Sequence, residues 1–390
     1  MIIRTRGFSV VAAVAVSIVA STAPAMGAFD AADPNPLRER TLLRAGAIAA
    51  NGNVTAIGYR EGSNPGSIRV AFSKDAGQTY LRGTGKLRQF TVAGLGKFGV
   101  SLDICDDAIW VASAANAPGD RANDTDVIIS RRLVDGGAGQ VFVTAPSRNR
   151  IVRSADVACL AKNFIAVAWL EKIGGETRAR LIIQDQDSLA PTAFKKSYNL
   201  GKAELDGGIS VAGTADGAYV AWTKGKGRHV KYQRFSLSAG DEPTISRDKI
   251  IEISRRDASW PQVAARGNHV VVAYTDNGKV KVKTSTDRGA SFSSPNKIVP
   301  HGKKAKPSRS WSLAIKGDRI VVEASRNVAG TNSPVRVQSF DFGSSWQTTT
   351  FGHKGARYGA LQAVGEGSSL KEGWHHNGPN KDKLRAQYEN

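Results

Sequence analysis

The sequence predicts an all-β protein: a seven-bladed β-propeller of four-stranded antiparallel blades, with six blades as the alternative. Three observations predict it. A hairpin turn recurs every 49 to 56 residues. The composition is that of strands and turns. One eight-residue turn sequence stands at three matching places in the repeat.

The repeating turns are Asn51-Gly52, Asp106-Asp107, Lys162-Asn163, Asp216-Gly217, Gly267-Asn268, Gly317-Asp318 and Glu366-Gly367. Each lies between two short apolar runs, the pattern of a tight hairpin. The run after the turn aligns best, as Ile109-Trp110-Val111-Ala112, Val167-Ala168-Trp169, Val220-Ala221-Trp222 and Val271-Val272-Ala273-Tyr274. Val321-Val322-Glu323-Ala324 and Lys371-Glu372-Gly373-Trp374 keep the position less well. A variable loop, a third strand, a second turn and a fourth strand complete each unit. Four strands at this period make a propeller blade. A lone blade cannot cover both faces of its sheet, and a ring of blades can. The last unit stops after a third strand at about Lys383 to Tyr388. Asn35 to Thr41 is the expected source of its fourth strand, which would close the ring by joining the chain ends.

Composition agrees with strands. The 390 residues include 41 Gly and 2 Met, and Val, Ile and Thr recur in short runs between glycines. The start reads as a secretory signal peptide over residues 1–27. Arg4 and Arg6 are followed by the apolar run Phe8 to Ala20, and Ala23-Pro24-Ala25 or Ala25-Met26-Gly27 offers a cleavage site. The run falls short of the roughly 20 residues that span a bilayer. An uncleaved anchor is the competing reading. Residues 28–390 are then one propeller domain, secreted or held in the periplasm or cell envelope, with no membrane span. Cys105 and Cys159 permit one disulfide in an exported protein. They fall near the ends of the first strands of neighbouring units.

Lys and Arg total 54 against 34 Asp and Glu, a net charge of +20. Such a surface attracts polyanions and loses the attraction as salt rises. An acidic glycan or a phosphate-bearing envelope polymer fits. The basic tracts Lys303-Lys304-Ala305-Lys306 and Lys224 to Arg234 would add long-range attraction. They lack the aromatic spacing of a nucleic-acid module, and export argues against nucleic acid. The plain alternative is a protein that merely runs basic.

The turn sequence is Ser73-Lys74-Asp75-Ala76-Gly77-Gln78-Thr79-Tyr80, Ser285-Thr286-Asp287-Arg288-Gly289-Ala290-Ser291-Phe292 and Ser339-Phe340-Asp341-Phe342-Gly343-Ser344-Ser345-Trp346. Asp can accept turn amides, Gly accepts a positive φ, and the ring packs between sheets. Units two to four carry degenerate turns, such as Asp135-Gly136-Gly137. On these residues the chain resembles the Asp-box (BNR-repeat) propellers, the superfamily that includes sialidases. The resemblance covers nearly all of residues 28–390. It implies that Asp75, Gly77, Asp287, Gly289, Asp341 and Gly343 are structural and lie far from the ligand site. Sialidases also carry an Arg-Ile-Pro motif, three arginines that clamp a carboxylate, a Tyr nucleophile paired with Glu, and an acidic proton donor. This chain has no Arg-Ile-Pro; Asn35-Pro36-Leu37-Arg38-Glu39-Arg40 stands near its start. Arg357-Tyr358-Gly359-Ala360-Leu361 resembles the family's Tyr segment. No catalytic residue is assigned on this basis, and sialidase-like glycoside hydrolysis is the second expectation.

The first expectation is a binding module. The segments leading into the innermost strands are Arg153-Ser154-Ala155-Asp156, Arg256-Asp257-Ala258-Ser259-Trp260, Arg309-Ser310-Trp311 and Arg357-Tyr358. Arginine suits planar contact with a carboxylate or phosphate, and an aromatic face stacks on a sugar ring. The predicted site is Arg153, Asp156, Arg256, Asp257, Trp260, Arg309, Trp311, Arg357 and Tyr358, holding an anionic glycan at the central mouth. The competing reading wedges the rings between blades and leaves the arginines on the rim. Asp103, Asp156, Asp206 and Asp257 could face one another for hydrolysis, or simply pair with the arginines. No cofactor or metal is expected. Asp120, Asp124 and Asp126 form an oxygen-rich set that could hold calcium but lacks a known loop spacing. A scaffold for protein partners is the third expectation.

Overall fold

The structure, a computed structural model, describes residues 47–61, 66–77, 79–80, 89–106, 108–116, 125–135, 140–143, 150–160, 163–187, 197–225, 228–238, 244–255, 257–277, 279–299, 311–328, 331–350, 356–363, 370–378 and 381–388. The leader, Asn35 to Thr41, Arg256, Arg309, Asp120 and Asp124 lie outside the described residues.

All described regular structure is β. The first unit is β1 (Ala47–Asn51), β2 (Val54–Glu61), β3 (Gly66–Ser73) and the start of β4 (Gln89–Cys105). The second is the rest of β4 with β5 (Ala108–Asn116), β6 (Asp126–Leu133) and β7 (Gln140–Val143). Then follow β8 (Ile151–Cys159), β9 (Phe164–Ile173), β10 (Glu176–Asp185) and β11 (Tyr198–Lys202). The fourth unit is β12 (Ile209–Thr214), β13 (Gly217–Lys224), β14 (His229–Leu237), β15 (Ile245–Arg247) and β16 (Ile251–Ser254). The fifth is β17 (Ala258–Arg266), β18 (His269–Asp276), β19 (Lys279–Ser285) and β20 (Asn296–Val299). The sixth is β21 (Trp311–Lys316), β22 (Arg319–Val328), β23 (Thr331–Ser339) and β24 (Gln347–Thr350). The chain ends with β25 (Ala356–Ala363), β26 (Leu370–Gly378) and β27 (Lys381–Tyr388), a three-stranded sheet.

Every sheet is an antiparallel meander. The predicted turns Asn51-Gly52, Asp216-Gly217, Gly267-Asn268 and Gly317-Asp318 join the first two strands of their units, whereas Asp107, Lys162 and Glu366-Gly367 lie outside the described residues. Besides the three-stranded last unit, three units depart from the simple four-strand plan. β4 runs without a break from the outer edge of the first unit to the inner edge of the second, so both share one seven-stranded sheet. A register shift between Gly96 and Val100, in a glycine-rich stretch, lets one strand serve both. In the fourth unit the last strand is broken into β15 and β16, both paired with β14.

The innermost strands stand side by side in the order β1, β4, β8, β12, β17, β21, β25, and β25 returns to lie against β1. In units two to five the second strand is sandwiched between two neighbouring sheets. β13 is buried from Gly217 to Thr223 and β18 from Val270 to Asp276. That is why these strands read as unbroken apolar runs rather than alternating ones. The core is accordingly a series of layers between adjacent sheets. Trp110 and Trp169 lie in the layer between units two and three, and Trp222 in the next. Tyr232 and Tyr274 lie between units four and five.

The three S-x-D-x-G turns share one hydrogen-bond pattern. The serine hydroxyl accepts the glycine N–H, at 2.9 Å for Ser73–Gly77, 2.8 Å for Ser285–Gly289 and 2.7 Å for Ser339–Gly343. The aspartate accepts the N–H and the hydroxyl of Thr79, Ser291 or Ser345. The hydroxyl of Ser285 donates to Asp287 and that of Ser339 to Asp341, and with these bonds the two carboxyls are held down at about 2. The next residue donates its N–H to the first hairpin turn of the same unit, as Ala76 to Asn53 O, Arg288 to Asn268 O and Phe342 to Asp318 O. Units three and four keep that backbone bond without the motif, as Gln186 to Asn163 O and Leu237 to Asp216 O. Phe292 crosses to the neighbouring unit, edge-on to Tyr232 at 4.9 Å.

Candidate functional site

In a meander that begins at the axis, the segment leading into the first strand and the loop between strands two and three share one end. At that end the innermost strands carry register shifts. On β8 the pairing with β9 steps from Val152 to Ser154, leaving out Arg153. On β17 it steps from Ser259 to Gln262, leaving out Trp260 and Pro261. On β25 it steps from Ala356 to Tyr358, leaving out Arg357. A bulge re-aims the residue it expels from the ladder and is common beside active sites.

Arg153 and Trp260 join one arc across three units. Arg153 Nη1 lies 3.7 Å from Asp206 Oδ1, and both side chains are exposed. Gly207 follows, and its carbonyl accepts the Trp260 N–H at 2.6 Å and the Thr223 hydroxyl at 2.6 Å. Trp260 has φ +55° and Asp257 φ +47°, both in the left-handed region. Such backbone is costly for a non-glycine residue and clusters at functional sites. Gly208 leaves room for Trp260, and Gly207 leaves room for Thr223. A Cβ on Gly207 would stand 2.4 Å from Thr223 Cβ, and one on Gly208 would stand 3.1 Å from Trp260 Cα. Trp260 keeps part of its surface open, and Asp257 is exposed.

Trp311, Asp156 and Asp103 are taken up by the packing and the scaffold. Trp311 is 4 % exposed and packs in the layer between units five and six, its carbonyl taking the Gln262 amide at 2.6 Å. Its ring is a wedge, as the competing reading had it. Asp156 is engaged by the scaffold. Its carboxylate accepts the Ser101 hydroxyl, the Val157 N–H at 3.1 Å and the Val211 N–H at 2.8 Å. Burial nevertheless pushes its pKa up. Asp103 likewise accepts the Cys159 N–H at 2.7 Å. Tyr358 follows the bulge on β25 and pairs with His375. Asp126 of the oxygen-rich set is buried, with its carboxylate 3.3 Å from Arg150. Among the described residues no group of His, Cys, Asp and Glu is arranged to hold a metal ion.

Sequence reasoning missed the charge network beneath Arg153. Glu171, 4 % exposed, accepts from Arg180 Nε at 2.9 Å and Trp169 Nε1 at 3.0 Å, and Arg150 Nε stands 3.5 Å away. Thr125 binds the backbone of Val152 through its hydroxyl, at 2.8 Å and 2.7 Å. The start of β8 is thus fixed on both sides of Arg150. Disulfide-bonded Cys105 and Cys159, with Cα atoms 5.5 Å apart, join the far ends of β4 and β8.

No family model matches the sequence, and no curated protein matches it. Solved structures do. The chain resembles a puromycin-hydrolyzing peptidase of Mycobacterium tuberculosis with a TM-score of 0.53 at 12% identity, over 90% of this chain and 53% of that one. It resembles the polysaccharide lyase Uly1 with a TM-score of 0.51 at 9% identity, over 89% and 90%. The fold is a β-propeller. Trypanosoma rangeli sialidase also matches, with a TM-score of 0.47 at 12% identity over 79% of this propeller and 56% of that chain. The propeller therefore spans little more than half the length of the peptidase and of the sialidase. At these identities the likeness is one of fold. Among the described residues of the propeller, no helix is long and apolar enough to cross a membrane.

Proposed function

We propose that this chain is an exported, seven-bladed Asp-box propeller that binds an anionic glycan at its mouth. The reading is carried by one observation: the bulges of the innermost strands expel Arg153, Trp260 and Arg357, three residues of the predicted site. A ring of innermost strands with two arginines and a part-exposed indole at one end suits a carboxylate beside a sugar ring. A polysaccharide lyase of the same fold points the same way. Arg256 and Arg309 would add charge at the same mouth. Asn35 to Thr41 would supply the outer strand of the last blade. Hydrolysis stands behind binding, because Asp103 and Asp156 already accept backbone N–H groups. A glycan-array screen at low and high salt tests the proposal. Salt-resistant binding to a defined acidic sugar, lost in Arg153→Ala and Trp260→Ala, is expected. Binding that vanishes with salt and ignores both substitutions would leave only a basic surface.

A further inference from the structure

The basic tract Lys224 to Arg234 is separated in sequence from the mouth residues, and the fold sets it against them. Its tip is the turn between β13 and β14. Arg228 there has φ +46°, and its carbonyl accepts the N–H of Ala258 at 2.8 Å. Ala258 opens β17, two residues before Trp260. On the other side of the hairpin, Glu204 of the segment that carries Asp206 and Gly207 donates its N–H to Thr223 O at 2.9 Å. Exposed Lys224 and Arg228 therefore adjoin the arc that holds Trp260. Arg255, with 85 % of its side chain exposed, stands on the same approach.

The carboxylate that Arg255 meets is already shared with other cations. Glu252 accepts from the Lys231 ammonium, lies 3.2 Å from His229 Nδ1, and lies 3.5 Å from Arg255 Nε. Bonds from Lys231 and His229 hold it at about 2, so it stays ionised and engaged. Of the other nearby acids, Asp206 faces Arg153, Glu204 is half-buried and Asp257 is exposed. Lys224 and Arg228, which meet no carboxylate among the described residues, and the largely exposed Arg255, which shares Glu252 with two other cations, project positive charge beyond the mouth.

We propose that the ligand is an extended acidic polysaccharide that runs from Trp260 outward across the β13–β14 hairpin, over Lys224, Arg228 and Arg255. The proposal rests on the mouth reading. A single sugar would fill only the Arg153–Trp260 arc, whereas a chain of acidic sugars meets the flanking cations as well. Polyphosphate would satisfy the cations but offers no ring for the indole.

Calorimetric titration of the protein with galacturonic acid, short and long oligogalacturonates and polyphosphate tests this. Affinity should rise with oligomer length, more so at low salt. The variant Lys224→Ser/Arg228→Asn/Arg255→Ala should bind long oligomers about tenfold more weakly, the low end of what a focused field supplies, and galacturonic acid unchanged. Asn is chosen at 228 because it tolerates the left-handed backbone. Equal affinity at all lengths, or a triple variant that binds long oligomers like the wild type, overturns the track and leaves the mouth standing. Length-dependent binding that ignores Trp260→Ala and Arg153→Ala overturns the mouth reading and, with it, the path from Trp260. Polyphosphate binding as tightly as the longest oligogalacturonate, or no oligogalacturonate binding at all, overturns both.

Discussion

The carboxylate of Asp156 on β8 accepts the backbone N–H of Val211 on β12 at 2.8 Å, clasping one blade to the next. The same clasp recurs around the ring. Asn51 donates to Ile104 O, Asp103 accepts from Cys159 N, Ser210 accepts from Val263 N, and Gln262 donates to Trp311 O. Each is a polar residue on an innermost strand that reaches one strand around the axis. Removing one leaves a backbone group buried without its partner. Asp156→Ala should lower the unfolding free energy by about 1.5–3 kcal/mol, the usual cost of losing a charge-assisted hydrogen bond. Asp156→Asn, which keeps one carbonyl oxygen, should lose less. Urea unfolding curves measure both, and an alanine variant as stable as the wild type would remove the clasp from the account of ring stability.

Close approach of backbones between blades makes a second prediction. A Cβ on Gly213 of β12 would stand 1.8 Å from the carbonyl oxygen of Cys159 on β8. No rotamer change can relieve a clash with main chain. Gly213→Ala should therefore force the two innermost strands apart and destabilise by more than about 3 kcal/mol, at the severe end for overpacking. Gly52→Ala is the control. Nothing lies within 4 Å of its Cβ, and only its φ of +53° opposes the change. It should cost about 1 kcal/mol. Thermal melts that show equal losses for the two variants would contradict the close approach.

These particulars explain what was legible in the sequence. Hairpin turns and apolar second strands follow local rules, so the repeat and its strands could be read directly. The clasp residues were legible in principle: Asn51, Asp103, Asp156, Ser210 and Gln262 recur at 52 to 54 residues, polar positions on strands that are otherwise largely apolar. Read from sequence alone, Asp103 and Asp156 fall instead beside Asp206, Asp257 and the arginines, Asn51 is a turn residue, and Ser210 and Gln262 are passed over. Trp260 and Trp311 look alike in sequence, each a short step after an arginine. Register separates them. Trp311 is the first paired residue of β21 and sinks into the core, whereas Trp260 is expelled by a bulge that the Gly207 carbonyl anchors from the neighbouring blade. No local pattern encodes a bulge fixed from another blade. The continuity of β4 is hidden for the same reason, since it depends on two neighbouring sheets at once.

The disulfide supplies a third prediction. Cys105 and Cys159 are 54 residues apart and staple two innermost strands beside the Asp103–Cys159 clasp. Cys105→Ala/Cys159→Ala should lose about 2–4 kcal/mol, through a freer unfolded chain. Mouth binding should survive, because the bulges lie at the other ends of these strands. Denaturation under reducing conditions should reproduce the loss in the wild type and leave the double variant unchanged. A wild type indifferent to reductant would count against the staple.

The buried pair on the sixth blade gives stability a pH dependence of a particular sign. Glu323 on β22 and Arg336 on β23 face each other in register, 2 % and 6 % exposed, with Arg336 Nη2 3.3 Å from the carboxylate. Ser312 lies opposite Glu323 on β21, with its hydroxyl buried and, among the described residues, without a partner. Burial pushes Glu323 up to about 7, from an ordinary 4.5, against the pull of Arg336. A carboxyl raised in the folded state favours folding when protonated. Its contribution is full below the unfolded value of 4.5 and is lost as pH rises through about 7. Urea midpoints should therefore fall between those limits in the wild type. Glu323→Gln, which cannot titrate, should flatten that segment of the profile. Glu323→Ala should do more harm, about 3–5 kcal/mol at neutral pH, because it strips a buried guanidinium of its facing carboxylate. Superimposable pH profiles for the wild type and the glutamine variant would show that Glu323 stays ionised throughout and that Arg336 outweighs its burial.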